Sequence, residues 1–421
     1  MRARTLLATT AAITCITGLT ACTSTTDGTG VAASSSGASA STATSASSTA
    51  VNTAQLDTGT YPTSPSAPFG FATAPDPEIV GAEGQRLAEF VTIPSEIDPE
   101  MTDVGLPTGV VFGTNNLRSV FASKAVADAA GVKGLVTGFF TSAGQPKKKI
   151  SDKTRSLTQL VLRYNSPAAA NTAAIAMNNA SIARPADGEI AFAPATISNL
   201  PGTLVSRASG QFPGMRSFTA HNSYVISTGV AVPPGQEGSA ESIIRTAVAK
   251  QIPLIDRFPA TPIVPGVKSR IKLDQNNILI YAIPETDGQM LGGLTRGVYG
   301  PRGMASVEGP EILTTLQDNG SEHNAVWRST VYRATTESDA SEILTKLVDR
   351  DLAAGYSRSG SPAGLPTATC VTQDTASGQQ NNCYVPEGRY IGATYDRDAV
   401  KARQMISAQY LILTKADQTA N

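Results

Sequence analysis

Leu160-Val161-Leu162-Arg163 returns in the second half of the chain as Thr330-Val331-Tyr332-Arg333. Five further stretches repeat in the same order. Phe90-Val91-Thr92-Ile93-Pro94 recurs as Ile280-Tyr281-Ala282-Ile283-Pro284, and Gly109-Val110-Val111-Phe112-Gly113 as Arg296-Gly297-Val298-Tyr299-Gly300. Leu200-Pro201 recurs as Leu365-Pro366, and Tyr224-Val225-Ile226 as Tyr390-Ile391-Gly392. Gln251 before Pro253-Leu254-Ile255 recurs as Gln409 before Leu411-Ile412-Leu413. Each match is weak alone, but their common order makes the folded part a tandem duplication. The repeats span 82–256 and 275–415, joined by 257–274, where Pro259, Pro262 and Pro265 predict a semi-rigid linker.

Inside each repeat, short β-branched runs alternate with helical periodicity. Ser166-Pro167 carries an N-cap followed by proline at the first helical position. Ala170, Ala173, Ala174 and Met177 then share one face. Ala340, Ile343, Leu344, Leu347 and Val348 do the same in the second repeat, and Ile243, Ile244, Ala247 and Val248 mark a terminal helix. The fold class predicted is α+β: two related domains, each an antiparallel or mixed sheet with helices on one face, and each with its own core.

The first residues give an address. Arg2 and Arg4 precede the apolar stretch Leu6–Leu19, which is shorter than the ~20 residues that span a bilayer. It ends in Leu19-Thr20-Ala21-Cys22, the pattern of a bacterial lipobox: small residues suit the signal peptidase, and the thiol suits acylation. Residues 1–21 therefore read as a lipoprotein signal peptide and Cys22 as the lipidated residue. Residues 22–60, rich in Ser, Thr, Ala and Gly, bury too little apolar surface to offset ordering entropy and read as a disordered tether. Residues 61–81 read as an extended lead-in, and 416–421 as a tail.

Export fits the cysteines. Of the four, Cys15 leaves with the signal and Cys22 takes lipid, leaving Cys370 and Cys383. An isolated pair in an exported domain predicts a disulfide across a hairpin. The rival reading, a redox or metal pair, needs closer spacing or histidine partners.

At this point the chain resembles an uncharacterised actinobacterial lipoprotein family built on a duplicated domain of unknown function, the one numbered 7373. The resemblance is carried by Tyr61-Pro62-Thr63-Ser64-Pro65, Ser217-Phe218-Thr219-Ala220-His221, Pro253-Leu254-Ile255-Asp256 and Gly297-Val298-Tyr299-Gly300-Pro301-Arg302-Gly303. Val331-Tyr332-Arg333-Ala334, Gly388-Arg389-Tyr390 and Ala408-Gln409-Tyr410 also fit, and Asn222-Ser223 departs where the family shows Gly-Pro. The resemblance implies a cell-envelope lipoprotein with two related domains, and no catalytic residues.

Chemistry-bearing motifs are scarce. GxGxxG, the P-loop, HExxH and GxSxG are absent from the sequence. Ser269-x-x-Lys272 matches a penicillin-binding signature, but without its S-D-N and K-T-G partners it reads as accidental. The two histidines, His221 and His323, cannot make a three-histidine zinc site, so no metal or cofactor is expected. With 33 basic against 34 acidic residues, the chain lacks the basic excess of a nucleic-acid binder. The basic stretch Lys147-Lys148-Lys149, Lys153 and Arg155 reads as a solvated loop, with contact to anionic polymer or headgroups as its functional alternative.

The resulting expectation is a lipid-anchored, non-catalytic binding or interaction module on the outer face of the membrane, whose partner is an envelope lipid, glycan or protein. A structural or assembly factor without a ligand is the alternative, and an enzyme comes third. The candidate ligand groove lies where the repeats meet, with Arg163, Arg333, Tyr299 and Trp327 as candidate lining; Arg163 and Arg333, at equivalent strand positions, have pairing with a carboxylate as their structural role.

Overall fold

The helix most important to the architecture is one whose composition hides it. Pro77–Ala88 is helical despite Gly81 and Gly84, with proline at its start and Glu78 in its first turn. It is buried along Ile79, Gly81–Gln85, Leu87 and Ala88 and touches both repeats. The computed structural model describes residues 50–73, 77–104, 107–147, 149, 152–210, 213–262, 269–285, 294–376 and 378–420. The stretch read as a signal peptide, Cys22, and the stretch read as a tether as far as residue 49 lie outside the described residues.

The chain runs through a 3-10 turn at Thr53–Gln55, strand β1 (Phe71–Thr73), helix α1 (Pro77–Ala88) and the short helix α2 (Pro94–Ile97). The first repeat follows: β2 (Gly109–Val111), α3 (Thr114–Phe121), α4 (Lys124–Ala130), β3 (Leu135–Gly144), β4 (Ser156–Tyr164), α5 (Pro167–Ile182), β5 (Ala193–Ala195), β6 (Thr203–Ala208), β7 (Gly214–His221), β8 (Tyr224–Ala231) and α6 (Glu237–Ile255). After β9 (Arg270–Lys272), which pairs with β1, the second repeat gives the same order. Its elements are β10 (Gly297–Tyr299), α7 (Pro301–Glu308), α8 (Glu311–Asp318), β11 (Asn324–Val326), β12 (Thr330–Arg333), α9 (Glu337–Ala353), β13 (Ser357–Ser359), β14 (Thr369–Thr375), β15 (Gly378–Glu387), β16 (Tyr390–Asp396) and α10 (Ala399–Leu413).

Each repeat forms a seven-stranded antiparallel sheet, ordered β2-β3-β4-β8-β7-β6-β5 and β10-β11-β12-β16-β15-β14-β13. The duplication reaches individual pairs: Arg163 lies opposite Tyr224 as Arg333 lies opposite Tyr390. One match needs correction. The ladders set Val110 against Val298, so the sequence match at Gly109–Gly113 is out by one, and the surplus residue, Phe112, protrudes at 49% exposure.

The α+β class is as expected, but the helices flank both faces of each sheet. Val225 and Ile226, adjacent on β8, belong to different cores because strand side chains alternate. Val225 joins Phe218 and Leu162 under α5, while Ile226 faces the other way. Met215 and Val230 lie under α6. In the second repeat Ile391 faces α9, and Tyr390 faces α10. The Ser166 cap matches the sequence reading, its side chain accepting from Ala169 N, and α9 adds a capping box of Thr336 and Asp339.

The expectation of two separate cores is wrong. One cluster runs from Leu87, Val110, Phe139 and Ile226 of the first repeat to Tyr299, Leu316, Tyr332 and Ile343 of the second. The segment preceding the first repeat also crosses over. Val51, Leu56, Tyr61 and Phe69 pack on the second repeat's α10 side; Asn52 N donates to Gly364 O at 2.8 Å, and Lys415 Nζ to Thr63 O at 2.8 Å. The tether read to residue 60 thus ends in a docked strap from residue 50, and the lead-in read as extended contains β1 and the first turn of α1. The tail is held too: Asp417 N donates to Tyr281 OH at 3.0 Å.

Cys370 and Cys383 face each other across β14 and β15 and form the expected disulfide.

Candidate functional site

Where the repeats meet, α1 and the linker face β10 and α7 across a cleft of about 600 Å3. Of the four candidate groove residues, Tyr299 alone appears in its lining, with Gln85, Glu89 and His323. Close approach is imposed here by glycine. A Cβ on Gly297 would collide with Gln85, and one on Gly300 with Glu89.

Each remaining candidate has another job. Arg163 is buried and bonded to Glu83, a fully buried carboxylate on α1, and to the Thr261 carbonyl. Arg86 binds the other Glu83 oxygen at 2.6 Å and the Pro259 carbonyl at 2.8 Å, so the carboxylate pins the linker to the first sheet. Arg333 donates to Asn276 O at 3.1 Å. Arg163 thus pairs with a carboxylate, while Arg333 donates to a carbonyl. Trp327 is half-buried beside the strap: its ring meets Phe69 edge-on, with centroids 5.7 Å apart, and the Arg296 guanidinium lies 5.5 Å from it.

Side chains with catalytic potential are engaged structurally. Ser269 Oγ donates to the Pro262 carbonyl, and Lys272 Nζ to Asn277 Oδ1 at 2.8 Å. His221 Nε2 contacts Asp256 Oδ1 at 2.6 Å, stapling the β7–β8 turn to the end of α6. His323 Nδ1 is 3.0 Å from Asn276 Nδ2; burial, then the nearby Arg333 charge, hold its imidazole below the ordinary 6.5. Glu89 shifts the other way: burial raises its carboxyl against the pull of Arg302. The described residues hold no group of three or more His, Cys, Asp or Glu arranged for a metal ion.

A second cavity, of about 670 Å3, opens on the α9 face of the second sheet, with Thr102–Val104 of the first repeat at its wall. Alternation along the strands aims Tyr332 and Tyr384 toward α9, where a polar network fills the floor. Tyr332 OH donates to Glu308. Arg350 Nη1 donates to Glu308 Oε2 at 2.7 Å, and Arg350 Nη2 to Asp351 Oδ1 at 2.9 Å. Asp351 Oδ2 accepts from Tyr384 OH at 2.6 Å and from Asn382 Nδ2 at 2.7 Å. Burial raises both tyrosine hydroxyls well above 10, so they remain neutral donors. Because Asp351 only accepts, Asn382 must present its Nδ2 to it and turn Oδ1 away. That oxygen is buried without a hydrogen-bond partner among the described residues.

Sequence reading missed this network. Glu308, Arg350, Asp351, Asn382 and Tyr384 are scattered over α7, α9 and β15, and only the ladder brings them together. The available signal was the unpaired chemistry of the repeats: Tyr332 and Tyr384 stand where the first repeat has Leu162 and Phe218.

Comparison with curated proteins finds no match. Among solved structures, the extracellular domain of PknH from Mycobacterium tuberculosis is similar at 12% identity, over 39% of this chain and 96% of that one. Its TM-score of 0.26 is too low to carry a function across. Two family models match, the N-terminal domain of DUF7373 at residues 71–264 and its C-terminal domain at 282–416. These spans follow the two repeats and cover most of the chain: the protein belongs to the DUF7373 family, two domains of unknown function in tandem.

Proposed function

We propose that this protein is a lipid-anchored, non-catalytic binding module on the outer face of the cell membrane, and that its ligand occupies the α9-side cavity of the second repeat. The observation that carries the binding role is the built floor of that cavity, where Tyr332, Tyr384, Asn382 and Arg350 organise two carboxylates inside a space large enough for a small molecule. Binding rather than catalysis is favoured because Ser269, His221 and His323 are engaged in structural bonds and form no nucleophile–base pair.

Anchoring rests on Leu19-Thr20-Ala21-Cys22. No helix among the described residues is long and apolar enough to cross a membrane. One experiment addresses both parts. The full chain, extracted from its own envelope in mild detergent, is analysed by native mass spectrometry beside Cys22→Ser. The expected spectrum shows a lipid modification absent from Cys22→Ser, which leaves the membrane fraction, and a retained small molecule lost in Asn382→Arg. An unmodified Cys22 contradicts the anchor, and a retained molecule that survives Asn382→Arg contradicts the site.

A further inference from the structure

The second-repeat cavity has a counterpart in the first repeat, and the chain fills that counterpart itself. Position by position, the ladders give the equivalences. His221 faces Tyr224 as Glu387 faces Tyr390, and counting back five residues aligns Arg216 with Asn382. Ala193–Arg207 and Ser357–Thr372 are equivalent pairs, so Phe192 aligns with Tyr356. Phe121 and Glu308 are the last residues of α3 and α7, helices of equal length.

In the first repeat these positions surround a remnant of about 250 Å3. The Arg216 guanidinium lies 4.2 Å from the Phe192 ring centroid and 5.9 Å from that of Phe121, and donates to the Phe121 carbonyl. A planar cation, stacked on an aromatic ring, thus occupies the site.

Among the described residues, the same place in the second repeat holds no cation stacked on the aromatic wall. Asn382 stops short where Arg216 reaches in, Tyr356 keeps the aromatic wall, and Glu308 replaces Phe121. Among the described lining residues, the carboxylates of Glu308, Glu311 and Asp351 outnumber the single guanidinium, that of Arg350, which is already bonded to two of them. An excess of negative charge beside a tyrosine ring selects against anions and favours a charged N–H donor.

We propose that the second-repeat cavity binds a small organic cation of the guanidinium or ammonium class, held as Arg216 is held in the first repeat: stacked on Tyr356 and balanced by Glu308 and Asp351. This rests on the cavity being the ligand site.

The test is calorimetric titration of the full chain in non-ionic detergent with butylguanidinium, its neutral isostere butylurea, and methyl glucoside. Butylguanidinium is expected to bind, butylurea to bind about ten-fold more weakly or not at all, and Tyr356→Ala to weaken butylguanidinium by about five-fold, as loss of one cation–π contact implies. Asn382→Arg, which supplies the first repeat's own plug, is expected to abolish binding while the chain stays folded; should it fail to fold, Tyr356→Ala still decides. Equal binding of butylurea and butylguanidinium overturns the cation class, as does absence of binding by every probe. Binding of methyl glucoside alone, lost in Asn382→Arg, overturns the cation class while leaving the cavity as the site. Butylguanidinium binding unaffected by either variant overturns both.

Discussion

His323 shows how one residue ties the junction to pH. It lines the inter-repeat cleft, and burial together with the Arg333 charge holds its imidazole below 6.5, with Glu322 opposing. The folded state therefore binds fewer protons here than the unfolded chain. The stability this contributes is complete above the unfolded value and is lost as pH falls through the depressed one. Denaturant titrations are expected to show the difference between wild type and His323→Gln growing in the variant's favour below about pH 6.5. A constant difference from pH 8 to pH 5 would rule this out. Residues also mark what sequence could disclose. Cys370 and Cys383 were legible because two isolated cysteines in a chain that reads as exported leave few alternatives. Arg163 was legible as a paired residue, but its partner was not, since Glu83 lies in a stretch with no visible helical face.

Elements were legible where burial is one-sided and illegible where it is two-sided. α5 and α9 bury a stripe, so their apolar residues recur at helical spacing. α1 is buried between two sheets, and its glycines, placed for close approach, lowered its helical signature: a Cβ on Gly84 would collide with Val110. The same two-sidedness hid that helices cover both faces of each sheet, although α6 itself was read, because strands covered on both faces read as continuous apolar runs rather than alternation. α1 also carries Glu83, which receives Arg163, Arg86 and the Thr261 amide, the last at 2.9 Å. Glu83→Ala would leave Arg163 buried without its carboxylate, and is expected to destabilise the chain by about 3–5 kcal/mol. Equilibrium denaturation followed by circular dichroism measures it; a loss below about 1 kcal/mol would show that the clamp is not structural.

For the whole molecule, the duplication and the α+β class were readable because six ordered matches and two helical stripes survive divergence. The interlocking was not, because the strap's contacts to α10 and the shared core around Tyr299 are long-range and leave no periodic trace. That interlocking makes the two repeats one framework carrying two cavities at equivalent places, one closed by Arg216 and one open, besides the cleft between them. Divergence of the duplicated repeats explains why a groove read from shared residues such as Arg163 and Arg333 does not include the polar network, which lies where the repeats differ.

The most direct test is hydrogen–deuterium exchange of the full chain with and without a small-molecule extract of its own envelope. Amides lining the second-repeat cavity, at residues 354–356 and 380–384, are expected to gain protection, and Asn382→Arg is expected to abolish the gain. Protection confined to residues 85–90 and 298–301, around the inter-repeat cleft, would contradict this account and move the site there.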